Sequence, residues 1–125
     1  PGALWSDLVM WKMDLNGAYT LMDVRPKEAG MFAQKLVDGL MFFHLCGVFG
    51  WSCTPAAFQV ITRAIVWELK HKLRGRAKMY VDDIFGVSLR KNLAHDMACA
   101  RGVVVGLLGS KSLADDKEEM GTRLD

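Results

Sequence analysis

At 125 residues, with 51% apolar and 24% charged side chains, the chain has the make-up of one globular domain, which excludes disordered, collagen-like and fibrous classes. A net charge of +2 and an isoelectric point near 8.6 are too mild to argue for nucleic acid by themselves, because an electrostatic footprint needs clustered basic residues. The chain opens on Pro1 and stops at Gly121-Thr122-Arg123-Leu124-Asp125 without a terminal signal, which predicts a piece of a longer polypeptide.

In chain order, Trp11-Lys12-Met13-Asp14-Leu15 alternates so that Trp11, Met13 and Leu15 face one way and Lys12 and Asp14 the other, a half-buried strand. Asn16-Gly17 breaks it. Leu21 to Val24 and Met31 to Val37 are expected as strands around an Arg25-Pro26-Lys27-Glu28 turn, and Asp38-Gly39 is a hairpin signal leading into Leu40 to Val48. Leu40 to Trp51 is the most apolar stretch, but His44 interrupts it and it falls short of the roughly 20 residues that span a bilayer. No signal peptide opens the chain. Thr54 as N-cap and Pro55 at the first helical position predict a helix that turns Phe58, Ile61, Ile65 and Leu69 inward. Lys70, His71, Lys72 and Arg74 favour its C-terminal dipole, and Gly75 closes it.

Met79 to Ser88 is an apolar strand region interrupted only by Asp82-Asp83, which predicts two strands meeting at an acidic tight turn. A second helix is expected from the cap Asn92, carrying Leu93, Met97, Ala100, Val104 and Leu107 inward and ending at Gly109. Ser110 to Asp125 is charged and weakly patterned. No repeat or linker divides the chain, so strands and helices mix in a single α/β layered domain. Cys46, Cys53 and Cys99 form no C-x-x-C pair, and with no secretory context they predict reduced thiols in an intracellular protein, cytoplasmic or nuclear and not secreted. His44, His71 and His95 lack the spacing of a zinc site.

The carboxylates carry the chemistry. Asp-Asp arises by chance in on the order of every second chain of this length, and here it occurs twice. Asp115-Asp116 lies in a polar run and reads as solvated surface, whereas Asp82-Asp83 is flanked by Met79-Tyr80-Val81 and Ile84-Phe85. Two adjacent carboxylates at the end of buried strands repel and lose solvation, so one protonates unless a cation compensates. Oxygen-only ligands favour Mg²⁺ or Mn²⁺ over zinc. Asp14 also ends a strand, and a sheet that places the two strands side by side would gather all three carboxylates at one edge. Such a cluster suits two ions roughly 3.5 to 4 Å apart, the arrangement for phosphoryl transfer.

Four segments then carry a family resemblance. Asp14-Leu15-Asn16-Gly17-Ala18-Tyr19 is similar to the D-x-x-x-A-Y motif of reverse transcriptases. Phe49-Gly50-Trp51-Ser52-Cys53-Thr54-Pro55-Ala56-Ala57-Phe58-Gln59 resembles F-G-L-x-N-A-P-x-x-F-Q. Tyr80-Val81-Asp82-Asp83 matches Y-x-D-D, and Leu113-Ala114-Asp115-Asp116-Lys117 resembles L-N-P-x-K. In order and spacing, from about Trp11 onward, the chain resembles the palm of reverse transcriptases of Ty3/gypsy-type long-terminal-repeat retrotransposons. Trp51-Ser52-Cys53-Thr54 departs from the second motif, and the missing Asn-Pro of the fourth leaves Lys111 as a substitute for Lys117.

The resemblance implies an α+β palm with an antiparallel sheet packed on two helices, a ferredoxin-like or RRM-like core, and one domain over residues 1–125. It implies incomplete fingers and no thumb or ribonuclease H domain, so that the isolated chain is not expected to polymerise. The implied activity is RNA-directed DNA synthesis, in which a primer 3′-hydroxyl attacks the α-phosphate of a deoxynucleoside triphosphate and pyrophosphate leaves. Partners would be an RNA or DNA template with its primer, and no membrane. Asp14 and Asp82 would bind two Mg²⁺ or Mn²⁺ ions, with Asp83 assisting and the Leu15 carbonyl completing one shell. Tyr19 would lie under the sugar and exclude a 2′-hydroxyl. Phe49 and Gly50 would border the nucleotide, Lys117 would sit near the pyrophosphate, and Gln59 and Tyr80 would meet nucleic acid. Lys70, Lys72, Arg74, Arg76 and Lys78 form the one basic cluster, which a charged helix end explains without a ligand. The alternatives are an inert retroelement remnant and a nucleic-acid-binding scaffold. An RNA-dependent RNA polymerase fits less well, since that class usually has glycine before its paired aspartates and lacks an aromatic sugar gate, and Tyr80 and Tyr19 argue against it.

Overall fold

The computed structural model describes residues 4–47 and 52–122, so Phe49 and Gly50 lie outside the described residues. Its framework follows from strands whose side chains alternate and helices that cover one side of them. Strand β1 spans Leu8–Asp14. A short helix α1, Pro26–Ala29, leads to the small hairpin of β2, Gln34–Val37, and β3, Leu40–Phe42. Helix α2 spans Cys53–Lys72, β4 Arg76–Tyr80, β5 Asp83–Leu89, α3 Leu93–Leu108 and β6 Glu119–Gly121.

The four longer-range strands form one antiparallel sheet in the order β4-β5-β1-β6. Leaving aside α1 and the β2–β3 hairpin, the succession is βαββαβ, and from the β6 edge the order of its four strands is 4-1-3-2, the split βαβ arrangement of ferredoxin-like domains. The mixed α+β class expected from the sequence is therefore what forms. No helix among the described residues is long and apolar enough to cross a membrane. Cys46, Cys53 and Cys99 are free thiols.

One sheet face is apolar and carries both long helices. Trp11 and Met13 from β1 and Ile84 from β5 pack with Phe58, Ile65 and Leu69 of α2 and Ala100, Val103 and Val104 of α3. Full burial of each large apolar side chain contributes about 1.5–3 kcal/mol. The other face bears Lys12, Asp14, Asp83, Phe85, Lys78 and Tyr80, placed there by the two-residue period and the pairings Asp14↔Asp83, Lys12↔Phe85, Lys78↔Phe85 and Tyr80↔Asp83. Among the described residues no long helix packs on that face, and Tyr80 is 73% exposed.

The register between β1 and β5 is locked by one residue pair. Trp11 lies opposite Gly86, and a Cβ on Gly86 would fall 2.0 Å from the Trp11 ring. The Trp11 indole N–H donates to Ser88 Oγ at 3.0 Å, and the Ser88 hydroxyl donates to Asp96 Oδ2 at 2.6 Å. Asp96 also accepts the backbone N–H groups of Arg74 and Gly75, at 2.9 and 2.8 Å. Burial works against its charge, but the hydrogen bonds from Ser88, Arg74, His95 and Gly75 hold its carboxyl below the usual range. One buried carboxylate thus ties α3 to β5, to Trp11 and to the loop that follows α2.

Several expectations are corrected. Leu21–Val24 is not a strand: Ala18–Leu21 is a 3-10 turn, and only Asp23 makes an isolated bridge, to Cys46. The expected Arg25–Glu28 turn is instead the helix Pro26–Ala29, because Pro26 fits the first helical position, and Met31 belongs to a 3-10 turn, so β2 starts only at Gln34. The Asp38-Gly39 hairpin does form, with Gly39 at φ 79°. Helix α2 starts at Cys53, with Ser52 before it making no side-chain cap bond, so Thr54 lies within the helix, buried. In α3, Leu107 is 51% exposed, and Val103 takes the inward place. The weakly patterned tail supplies β6, held by Arg101, which bonds Asp115 at 2.6 Å and also Glu118. Gly86→Ala is expected to force Trp11 out of register at a cost of about 1–3 kcal/mol. That would lower the melting temperature by on the order of 5–10 °C, and an unchanged melt would contradict the lock.

Candidate metal and nucleotide site

Asp14 and Asp83 meet because β1 and β5 end together: they are directly opposed, on the open face of the sheet. Asp14 is 9% exposed, and its Oδ1 is buried without a hydrogen-bond partner. An orphaned buried oxygen of this kind normally finds a donor, a water or an ion. Lys12, two residues earlier on the same face, places Nζ 3.4 Å from that Oδ1 and 3.7 Å from Asp83 Oδ1. These are ion-pair distances, without the alignment of a hydrogen bond to Oδ1. Lys117 approaches from the solvent side, Nζ 3.8 Å from Asp14 Oδ2.

The turn between β4 and β5 consists of Val81 and Asp82, and Val81 has φ 55°. A β-branched residue there is strained, at about 1–3 kcal/mol. The turn is held in place by the Leu15 N–H donating to Asp82 O at 2.9 Å. Asp14 O accepts from Ala114 N–H at 3.0 Å, and Asn16 N–H donates to Ser112 O at 2.7 Å, so the end of β1 is stitched to the acidic turn on one side and to the tail on the other. Gly17, at φ 57°, reverses the chain after Asn16 and starts the turn that carries Tyr19.

These segments enclose a pocket of about 370 Å³ lined by residues 15–20, Val81, Asp82, Ala114, Asp116 and Lys117. Tyr19 lines it while packing edge-to-face on Phe58, with ring centroids 5.8 Å apart. Of the residues singled out from sequence, Leu15, Tyr19, Asp82 and Lys117 therefore share the pocket, and Lys117 links it to Asp14. Tyr80 is exposed on the open face opposite Asp83. Gln59 is on the solvent side of α2, away from the buried line of Phe58 and Ile65. Lys111 contributes its carbonyl, which accepts from Asn16 Nδ2 at 3.4 Å. Among the described residues no three His, Cys, Asp or Glu side chains stand close enough together to hold a metal ion. Asp14 and Asp83 are thus the close pair, with Asp82 on the pocket side of the turn.

The sequence matches no protein-family model and no curated protein.

Electrostatics set the character of the pair. The Asp83 carboxyl is pushed up to about 6, first by partial burial, then by the closeness and charge of Asp14, with Lys12 pulling the other way. Desolvation disfavours the Lys12 ammonium, but the adjoining Asp14 carboxylate and the charges of Asp83 and Glu119 outweigh it, so its proton is held more tightly than usual. Two carboxylates with an orphan oxygen fit a hard divalent cation, since Mg²⁺ is commonly held by one or two carboxylates with water and phosphate oxygens making up the rest. Lys12, whose side of the strand was legible but whose role was not, is the residue that motif reading passes over. The signal for it is K-x-D on an alternating strand, which puts the ammonium on the carboxylate's face.

Because Asp83 binds its proton more tightly in the folded chain than in the unfolded one, its contribution to stability is largest at low pH and is lost as pH rises from about 4 to about 6. In chelator, the stability of the parent relative to Asp83→Asn is expected to fall across that window and level off above it. A difference that stays constant in thermal melts from pH 4 to 8 would contradict the tighter hold of Asp83 on its proton.

Proposed function

We propose that this chain is the catalytic palm of a reverse transcriptase, an RNA-directed DNA polymerase of the long-terminal-repeat retrotransposon kind. The observation that carries the reading is the opposition of Asp14, from the first motif, and Asp83, from the third, beside a pocket lined by Tyr19, Asp82 and Lys117. Motifs far apart in the chain converge on one edge of the sheet, as the chemistry requires.

In this reading Asp14 and Asp83 supply carboxylate oxygens at the sheet edge, and Asp82 and the Leu15 carbonyl supply further oxygens from the pocket side. Mg²⁺ or Mn²⁺ held there would stabilise charge on the attacking and leaving oxygens of nucleotidyl transfer. Tyr19 presents its ring to the sugar of a deoxynucleoside triphosphate seated in the pocket, and Lys117 neutralises its phosphates. The open face receives the primer and template, with Arg76 and Lys78 for phosphates and the exposed Tyr80 and Phe85 for stacking.

A second reading, a nucleic-acid-binding scaffold without catalysis, is favoured by the absence of a three-carboxylate group among the described residues and by the Lys12 ammonium already beside the pair. Thermal unfolding with excess Mn²⁺ or Mg²⁺ separates the two. The polymerase reading expects a stabilisation of about 2.7 kcal/mol at a hundredfold excess over Kd, abolished in Asp14→Asn and reduced in Asp82→Ala. Equal shifts in all three proteins, or none in the parent, would leave the scaffold.

A further inference from the structure

Lys12 is framed by three strands. Its own strand places it two residues from Asp14 on the same face, β5 places Asp83 and Phe85 beside it, and β6 places Glu119 directly across from it. Its Nζ is 3.4 Å from Asp14 Oδ1, 3.7 Å from Asp83 Oδ1 and 5.9 Å from the centre of the Phe85 ring. The side chain is 17% exposed, against 62% for Lys117, so this ammonium is built into the sheet surface while Lys117 reaches in from solvent. The oxygen it stands nearest is the one that lacks a hydrogen bond. The contact therefore acts as charge compensation, and it occupies the space that a cation bridging Asp14 and Asp83 would need.

The charges set the direction of the consequence. Asp14 and Asp83 carry two negative charges when ionised, Glu119 and Asp82 add more nearby, and Lys12 with Lys117 returns two positive ones. A divalent ion entering beside both ammonium groups meets a weakened attraction, so it binds more tightly once the lysines swing away. Lys117 is free to do so at its exposed end, whereas Lys12 must leave Phe85 and Glu119 as well.

We propose that Lys12 is a resident counter-ion of the Asp14–Asp83 pair, a positioning residue that keeps the two carboxylates together without metal and sets a threshold for divalent cations by having to be displaced. The proposal rests on the polymerase reading for the identity of the incoming cation. A unit charge within about 4–6 Å of a carboxylate changes its affinity for a proton by roughly 10- to 1000-fold, and a divalent ion is at least as sensitive. Removing the ammonium is accordingly expected to tighten metal binding by about tenfold or more.

The test is titration of the purified chain with Mn²⁺, free ion being read by electron paramagnetic resonance, at a pH above 7 where Asp83 is ionised. Lys12→Met keeps an unbranched apolar stem against Phe85 and removes the charge; Lys12→Arg keeps the charge. The expected result is a Kd at least tenfold lower for Lys12→Met, a Kd near the parent's for Lys12→Arg, and a lower melting temperature for Lys12→Met in chelator that Mn²⁺ restores. Should Lys12→Met fail to fold in chelator, Lys12→Gln carries the same comparison. Equal or weaker binding by the uncharged variants overturns the proposal and leaves the metal reading standing. Tightening by Lys12→Arg as large as by Lys12→Met also overturns it, because packing rather than charge would then be responsible. If neither parent nor variants bind Mn²⁺, the metal reading falls and the proposal with it.

Discussion

Trp11 has room for its indole only where β5 offers no side chain, and Gly86 is that place. The ring's N–H then finds Ser88, and Ser88 finds Asp96, so the position of β1 against β5 is set by sterics and confirmed by a chain of buried hydrogen bonds. A slip of one residue would turn every β1 side chain to the opposite face, burying Lys12 and exposing Trp11. With the register held, Asp14 can only lie opposite Asp83. The acidic pair is therefore a consequence of core packing on the far side of the sheet.

That arrangement concentrates cost at one edge. Two carboxylates face each other at the sheet end, one with an unpartnered buried oxygen, and the turn beside them carries a β-branched residue at positive φ. Such features persist only where the surroundings over-determine them. Here the surroundings are the ladder of β4, β5 and β1, the backbone bonds that stitch Leu15 to Asp82 and Asp14 to Ala114, and the helices beneath. Lys12 and Lys117 offset the charge. In the reading proposed above, these lysines are the charges that an incoming cation would displace.

Much of this was legible in the sequence because it depends on local patterns. The alternation of Trp11, Met13 and Leu15 marked β1 and its buried side, Asp38-Gly39 marked a hairpin, and the spacing of Phe58, Ile65 and Leu69 marked α2 and its inward line. The acidic pair between two apolar runs marked the turn that joins β4 to β5. What escaped depends on contacts made at a distance. The tail gives β6 by pairing with β1, while Arg101, on α3, holds Asp115 and Glu118 beside it. Leu21–Val24 looks like a strand by composition, but the reversal at Gly17 and the proline at Pro26 wind the chain on either side of it instead. The choice of Asp83 over Asp82 as the partner of Asp14 is a matter of register, which two adjacent identical residues cannot disclose. Lys12 was visible on the same face as Asp14, yet its role emerges only once Asp83 stands across from both.

The central claim is that a divalent cation enters where Asp14 and Asp83 are opposed, beside the pocket of Tyr19 and Lys117. Paramagnetic broadening of backbone amide signals by substoichiometric Mn²⁺ tests it most directly, since the loss of signal falls steeply with distance from the ion. The account predicts loss centred on Asp14, Leu15, Asp82 and Asp83, with the residues after Gly17 next. Broadening centred on the acidic tail around Asp115–Glu119 or on Asp23 and Glu28, or spread evenly over the surface, would contradict it.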